Sequence, residues 1–299
     1  MTTNPNYFPE TELIVTDKKT VYHIDLSPDQ IADDVIVVGD QGRVEKISKY
    51  FSKIEHKVAH REFVTHTGLF NGKRVTVLST GIGTDNIDIV VNELDAAVNI
   101  DLEKRVLKDT RRSLNIIRLG TSGALQAEIP VNGLVVSEYG LGLDGLLNYY
   151  EGFEKQNEDA ISDAFMKHLN WTKNLPYPYC YKANEGLFNK FAPGNHAGIT
   201  ATAPGFYGPQ GRRLRLNPFK PDLNELLTSF DLNGTKITNF EMETSALYGL
   251  GKMLGHNCLT VCVIIANRVR KEFTNDYDKS VESLIQKALE RLTTWLLKK

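Results

Sequence analysis

Val35-Ile36-Val37-Val38 is an unbroken β-branched run that stops at Gly39, and it predicts a strand buried on both faces. Beyond it Val44, Ile47, Tyr50, Phe51 and Ile54 recur at helical spacing, so a helix is expected to follow. Two apolar segments, 63–70 and 73–79, flank Asn71-Gly72, a dipeptide suited to the left-handed positions of a two-residue hairpin turn. Gly81-Ile82-Gly83-Thr84 leads to a predicted helix over 87–98. Strands are expected at 115–119, 133–137, 199–202 and 259–266, and helices at 244–254 and 277–297. Strands that are apolar on both faces and alternate with helices imply an α/β fold: a single domain with a mixed central β-sheet flanked by helices. No repeat, linker or boundary divides residues 1–299. Residues 1–20 read as an N-terminal extension. Residues 157–197, with Pro176, Pro178 and Pro193, read as a helix plus a long insertion.

Composition narrows the function classes. A formal net charge of −2 gives no general attraction to nucleic acid or anionic membrane, so any anion site must be local. The first twenty residues are polar and lack the apolar core of a signal peptide. The longest apolar run, around 261–266, is too short to span a bilayer. A cytoplasmic protein is expected. The three cysteines, Cys180, Cys258 and Cys262, read as core residues, because no histidine stands beside them at metal-ligand spacing.

Two stretches carry the candidate chemistry. Phe206-Tyr207-Gly208-Pro209-Gln210-Gly211-Arg212 offers an aromatic face, a carboxamide and a guanidinium on a turn-rich loop. Phe240-Glu241-Met242-Glu243-Thr244-Ser245-Ala246 places two carboxylates where an extended segment runs into a helix. Glutamine donates and accepts, arginine only donates, and glutamate accepts from sugar hydroxyls, so the two together suit a nucleoside.

Three further elements suit a phosphate. Gly39-Asp40-Gln41-Gly42-Arg43 lies where a strand meets a helix, although a plain strand–helix turn is the commoner explanation of such a stretch taken alone and the three-glycine dinucleotide fingerprint is missing. In Arg118-Leu119-Gly120-Thr121-Ser122-Gly123 an arginine sits in an apolar strand and needs a partner, either a carboxylate or a bound phosphate. Thr121 adds a hydroxyl, and Gly120 and Gly123 expose backbone N–H groups. His60-Arg61-Glu62-Phe63 adds a third arginine at the mouth of the hairpin.

With these stretches, and with Ser79–Gly83 and Ile264–Arg268, the chain resembles the hexameric and dimeric nucleoside phosphorylases, most closely the uridine phosphorylases. The resemblance runs over almost the whole chain. It implies phosphorolysis, in which inorganic phosphate attacks C1′ of a nucleoside to give ribose 1-phosphate and free base. Carried over, it makes Gly39, Arg43, Arg118, Gly120 and Thr121 phosphate ligands, joined by Arg61 from a neighbouring subunit. It assigns the ribose to Glu243 and Met242 with Glu241 nearby, and to His23 reaching across a dimer. It assigns the base to Phe206, Gln210 and Arg212 with support from Arg268, and the catalytic work to Arg118, Glu243 and Arg212. The active site would be shared between subunits of a homo-oligomer, a dimer at least and a hexamer in some members.

Uracil is the favoured base, because one glutamine amide satisfies its ring carbonyl and N3–H. Related purine enzymes carry an aspartate after the late strand, where this chain reads Ala266-Asn267-Arg268. Some members bind a monovalent cation between subunits. Glu62 and Ile82 match its ligands, but Asn86 stands at the serine position, so no cofactor or metal is expected. Gln41 replaces the family's proline, and residues 101–113 and 157–197 are additional to compact members. Residues 271–279 read as a surface loop, which in the family is a flap over the base. Alternatives are a purine nucleoside phosphorylase, a nucleosidase using water, a non-catalytic nucleoside-binding protein and a dinucleotide-dependent enzyme.

Overall fold

In the computed structural model, which describes residues 7–293, β1 (Asp34–Val38) is buried throughout, as its β-branched run requires. Then follow α1 (Gln41–Ser48), β2 (Lys53–His60), β3 (Phe63–Phe70), β4 (Lys73–Ser79), α2 (Thr84–Asn99), β5 (Ile100–Asp101) and β6 (Val106–Leu107). The middle of the chain forms β7 (Asn115–Ala124), β8 (Leu134–Gly142), α3 (Asp159–His168), β9 (Tyr179–Lys182), α4 (Glu185–Phe191) and β10 (His196–Thr202). The last elements are α5 (Leu223–Ser229), β11 (Asp231–Leu232), β12 (Thr235–Glu241), α6 (Thr244–Leu254), β13 (Asn257–Asn267), β14 (Glu272–Phe273) and α7 (Tyr277–Thr293). The fold is a single-domain α/β arrangement around one mixed sheet.

The sheet runs β11-β12-β10-β8-β13-β7-β1-β4-β3-β2, with β9 beside β8 and β14 beside β13. β1 is parallel to both β4 and β7, whereas β3 is antiparallel to β4 through the hairpin turn at Asn71 (φ 47°) and Gly72 (φ 76°). β12 pairs a second time, antiparallel to β7, with Asn239 opposite Ala124 and Phe240 opposite Gly123. That contact closes β7, β13, β8, β10 and β12 into a ring. The main core lies between this sheet and the helices. α6 is buried from Thr244 to Gly251, and α7 contributes Val281, Leu284, Ile285, Ala288, Leu289 and Leu292.

Three expectations need correction. The helix expected to reach Ile54 ends at Ser48. Tyr50 and Phe51 fold into a tight turn, the Ser52 N–H is taken by Leu69 O (2.7 Å), and Ile54 belongs to β2. Residues 157–197 are more than a helix with an inserted loop: Tyr179, Cys180 and Tyr181 are wholly buried on β9, antiparallel to β8. Within 271–279, Glu272 and Phe273 pair with β13 and Tyr277 opens α7, so the segment is only partly loop. The predicted C-terminal helix forms from Tyr277 to Thr293, and 294–297 lie outside the described residues. All three cysteines are free and buried, and burial raises the Cys262 thiol to about 11. No described helix is long and apolar enough to cross a membrane.

Candidate active site

The end of β1, the middle of β7 and the end of β12 converge on a cleft of about 820 Å³. At the first of these, the Asp40 carboxylate accepts from Gly42 N (3.0 Å) and caps α1. This cap sets Arg43 in the first helical turn, where it is buried. Its Nη1 donates to Leu119 O (3.1 Å) and its Nη2 to the Tyr277 hydroxyl (2.7 Å). Gly39, Arg43 and Tyr277 all line the cleft.

The second convergence is electrostatic. Arg118, deep in β7, donates through Nη2 to Glu243 Oε2, and its Nη1 lies 3.2 Å from Glu241 Oε2. Burial alone would lower the Arg118 pKa, but the Glu243 and Glu241 carboxylates override it and hold the guanidinium charged. For Glu243, burial raises the carboxyl pKa and outweighs the Arg118 charge, which lowers it. Gly83 N donates to Glu243 Oε1 (2.8 Å), so the loop before α2 orients this carboxylate. Glu241 faces inward. It accepts from Thr202 Oγ1 (2.7 Å), Glu243 N (2.9 Å) and Thr244 N (2.9 Å) at the N-terminus of α6. Its acceptor sites are thus occupied within the protein, whereas Glu243 is held by one backbone N–H and Arg118. Met242 and Thr121 line the cleft between these groups. Gly120 is not on the cleft wall. A Cβ there would press into the Arg118 guanidinium and lie 2.9 Å from Cys262 Sγ, so its lack of a side chain makes room for the arginine.

Across the cleft, Arg212 stacks its guanidinium 3.7 Å from the centroid of the Phe206 ring. Its Nη1 donates to Phe206 O (2.6 Å) and Gln210 Oε1 (2.5 Å). Burial and then repulsion from Arg268 lower the Arg212 pKa to about 10. Gln210 is buried, and Arg268 Nη2 reaches its backbone carbonyl at 3.3 Å, so Arg268 braces the loop from behind. Phe206, Gln210 and Arg212 line the cleft together with Phe240, Ile265, Ala266 and Phe273.

His23 and Arg61 do not line this cleft, and Tyr22 links them to each other. His23 pairs through Nδ1 with Glu93 (2.6 Å), Arg61 lies over the Tyr22 ring at 5.3 Å, and Tyr22 packs edge-on against His23. Glu62, Ile82 and Asn86 do line the cleft. Among the described residues no group of three or more His, Cys, Asp or Glu side chains is placed to hold a metal ion. The sequence reading assigned no role to Tyr277 or Gly83. Tyr277 hides in the first turn of a helix after a charged segment. Gly83 (φ 101°) acts through its backbone, so its only signal is the Gly81-Ile82-Gly83 pattern before α2.

Residues 33–298 match the family described as the Phosphorylase superfamily. The chain is 33% identical to a uridine phosphorylase of Thermococcus kodakarensis, over 96% of this chain and 92% of that one. It is 26% identical to a DeoD-type purine nucleoside phosphorylase of Clostridium perfringens, over 86% of this chain and 91% of the other. Among solved structures, a Trypanosoma brucei nucleoside phosphorylase, described as showing uridine phosphorylase activity, superposes with a TM-score of 0.84. It shares 31% identity, with 94% of this chain and 99% of that one covered.

Proposed function

The chain belongs to the Phosphorylase superfamily, and we propose that within it this protein catalyses the phosphorolysis of uridine. One observation carries the reading: the buried Arg118 guanidinium is held by Glu243 in a cleft that has Arg43 on one side and the Gln210–Arg212 pair on the other. Phosphate sits against Gly39, Arg43, Arg118 and Thr121, with Gly120 giving the arginine its place. Glu243 accepts from the ribose hydroxyls beside Met242, and Glu241 fixes the backbone of Glu243 from behind.

A phosphate oxygen bonds to C1′ as the C1′–N1 bond breaks, and the electron pair of that bond passes onto the pyrimidine. Gln210 meets a ring carbonyl and N3–H, and Arg212 stabilises the negative charge that grows on the departing base. A proton from solvent completes uracil, and the sugar leaves as ribose 1-phosphate. Catalysis by the protein is electrostatic and positional, with no covalent intermediate.

The late strand supports a pyrimidine over a purine. Asn267, after Ala266, donates to Gln126 O (2.9 Å) and Ile129 O (2.8 Å) and accepts from Arg270 N (2.8 Å), so a turn staple stands there in place of an acid. His23 and Arg61, outside their own chain's cleft, are assigned to the ribose and phosphate of a partner subunit in a cytoplasmic homo-oligomer of at least two copies. The test is the ultraviolet spectrum of uridine and of inosine incubated with the protein, with and without phosphate. Uridine consumed only in the presence of phosphate is expected. Loss of inosine instead would replace the base assignment, and cleavage without phosphate would replace phosphorolysis by hydrolysis.

A further inference from the structure

Against Tyr207, Gly208, Pro209 and Arg212 of the Phe206–Arg212 loop lies a second cavity of about 710 Å³. One wall comes from the segment after α3, with Trp171, Leu175 and Pro176. The other comes from the stretch that joins the Phe206–Arg212 loop to α5, with Leu214 and Pro218, and from Leu223 at the start of α5. Its size lies in the range of cavities that enclose small organic ligands, and its walls are mainly aliphatic, proline and aromatic. Three large apolar side chains of this stretch are left uncovered: Leu214 is 68% exposed, Leu216 84% and Phe219 66%. Solvated apolar groups clustered around a concave surface mark a place where a ligand removes them from water.

The charge around the cavity has one sign. Arg212, Arg215 and Lys220 line it, and no Asp or Glu does. Arg212 is held by the base loop and Lys220 by Leu169 O (2.9 Å), while Arg215 is exposed and makes no ion pair among the described residues. A guanidinium at the mouth of an apolar cavity calls for an anionic head on an apolar body. We propose that this cavity is a binding site for an amphipathic carboxylate, with its chain against Trp171, Leu175 and Leu214 and its head on Arg215. The site is separate from the nucleoside cleft and does not depend on the phosphorolysis reading, although Arg212 lines both.

Decanoate is the probe, and Trp171 reports it. The chain has one other tryptophan, Trp295, so a Trp295→Phe variant isolates the signal. Titration of this protein with decanoate is expected to give a saturable change in Trp171 fluorescence with one site per chain. Decyltrimethylammonium, with the same chain and the opposite charge, is expected to give none over that range. Arg215→Glu is expected to weaken decanoate at least about tenfold, in line with the loss of a charge-assisted contact, and to leave the melting temperature unchanged because the residue is exposed. An equal response to both amphiphiles, or an Arg215→Glu variant that binds decanoate as before, would overturn the proposal. So would sedimentation of an oligomer whose Trp171 decanoate cannot reach, since a second copy would then fill the cavity.

Discussion

Replacing Glu241 by alanine tests whether this residue is a clamp or a sugar ligand. In the structure its carboxylate receives the Thr202 hydroxyl and the backbone N–H groups of Glu243 and Thr244, and all three donors are buried. Alanine leaves the three without this acceptor, and each unsatisfied buried donor costs about 1–3 kcal/mol. It also removes one of the two carboxylates that offset the charge of Arg118. Even at the lower end the loss is about 3 kcal/mol, and for a chain of this size roughly 2 °C is lost per kcal/mol. A fall in melting temperature of at least about 6 °C is therefore expected by differential scanning calorimetry or circular dichroism. A Glu241→Ala protein that melts within 2 °C of the parent (about 1 kcal/mol at that rate), but binds nucleoside poorly, would refute the clamp and return Glu241 to the ribose.

Gly120→Ala should displace Arg118, because the new Cβ intrudes on its guanidinium; kcat/KM for uridine is expected to fall about 100-fold, the scale of losing one transition-state donor, as steady-state kinetics would show. Tyr277→Phe frees Nη2 of Arg43 and is expected to shift the KM for phosphate several-fold while the KM for uridine holds, and equal shifts in both would disprove the link. Arg212 carries its charge below about 10 and loses it above, so kcat/KM for uridine should fall as pH rises through that value. Since its folded value is depressed, the unfolded chain keeps this proton to higher pH. The group's contribution to stability therefore rises with pH from about 10 up to the ordinary arginine value, which pH-dependent denaturation can follow. Arg61→Ala and Glu243→Gln, each inactive alone, should regain activity when co-expressed if Arg61 serves a partner's cleft, and no recovery in a mixed oligomer would place Arg61 elsewhere.

Much of the fold was legible where burial forces an uninterrupted apolar run, as in β1 and β13, or where a turn demands particular residues, as at Asn71-Gly72. β2 escaped notice because a register shift between Ile54 and His56 breaks its alternation and none of its residues is fully buried. β9 is four residues long and follows two prolines, too short for a period to emerge. The helical spacing of Phe51 and Ile54 was accidental, since both pack from a turn and a strand. At the site, the convergence of Arg43, Arg118 and Glu243 could be anticipated because a helix start carries Arg43, a strand-to-helix junction carries Glu243, and an arginine inside an apolar strand demands a partner. The inward turn of Glu241 and the service of Gly120 to Arg118 could not, because both depend on neighbours far away in the chain.

The second pairing of β12 bears on how the protein moves. A strand fastened along both sides cannot slip lengthwise, so the guanidinium on β7 and the acids at the end of β12 keep a fixed spacing unless the hoop is cut at Asn239–Ala124. Shape changes during turnover are thereby left to what hangs outside the hoop, the Phe206–Arg212 loop and the Glu272–Phe273 arm. Amide deuteration should find Asn239 and Phe240 among the last protons to leave and Phe273 among the first.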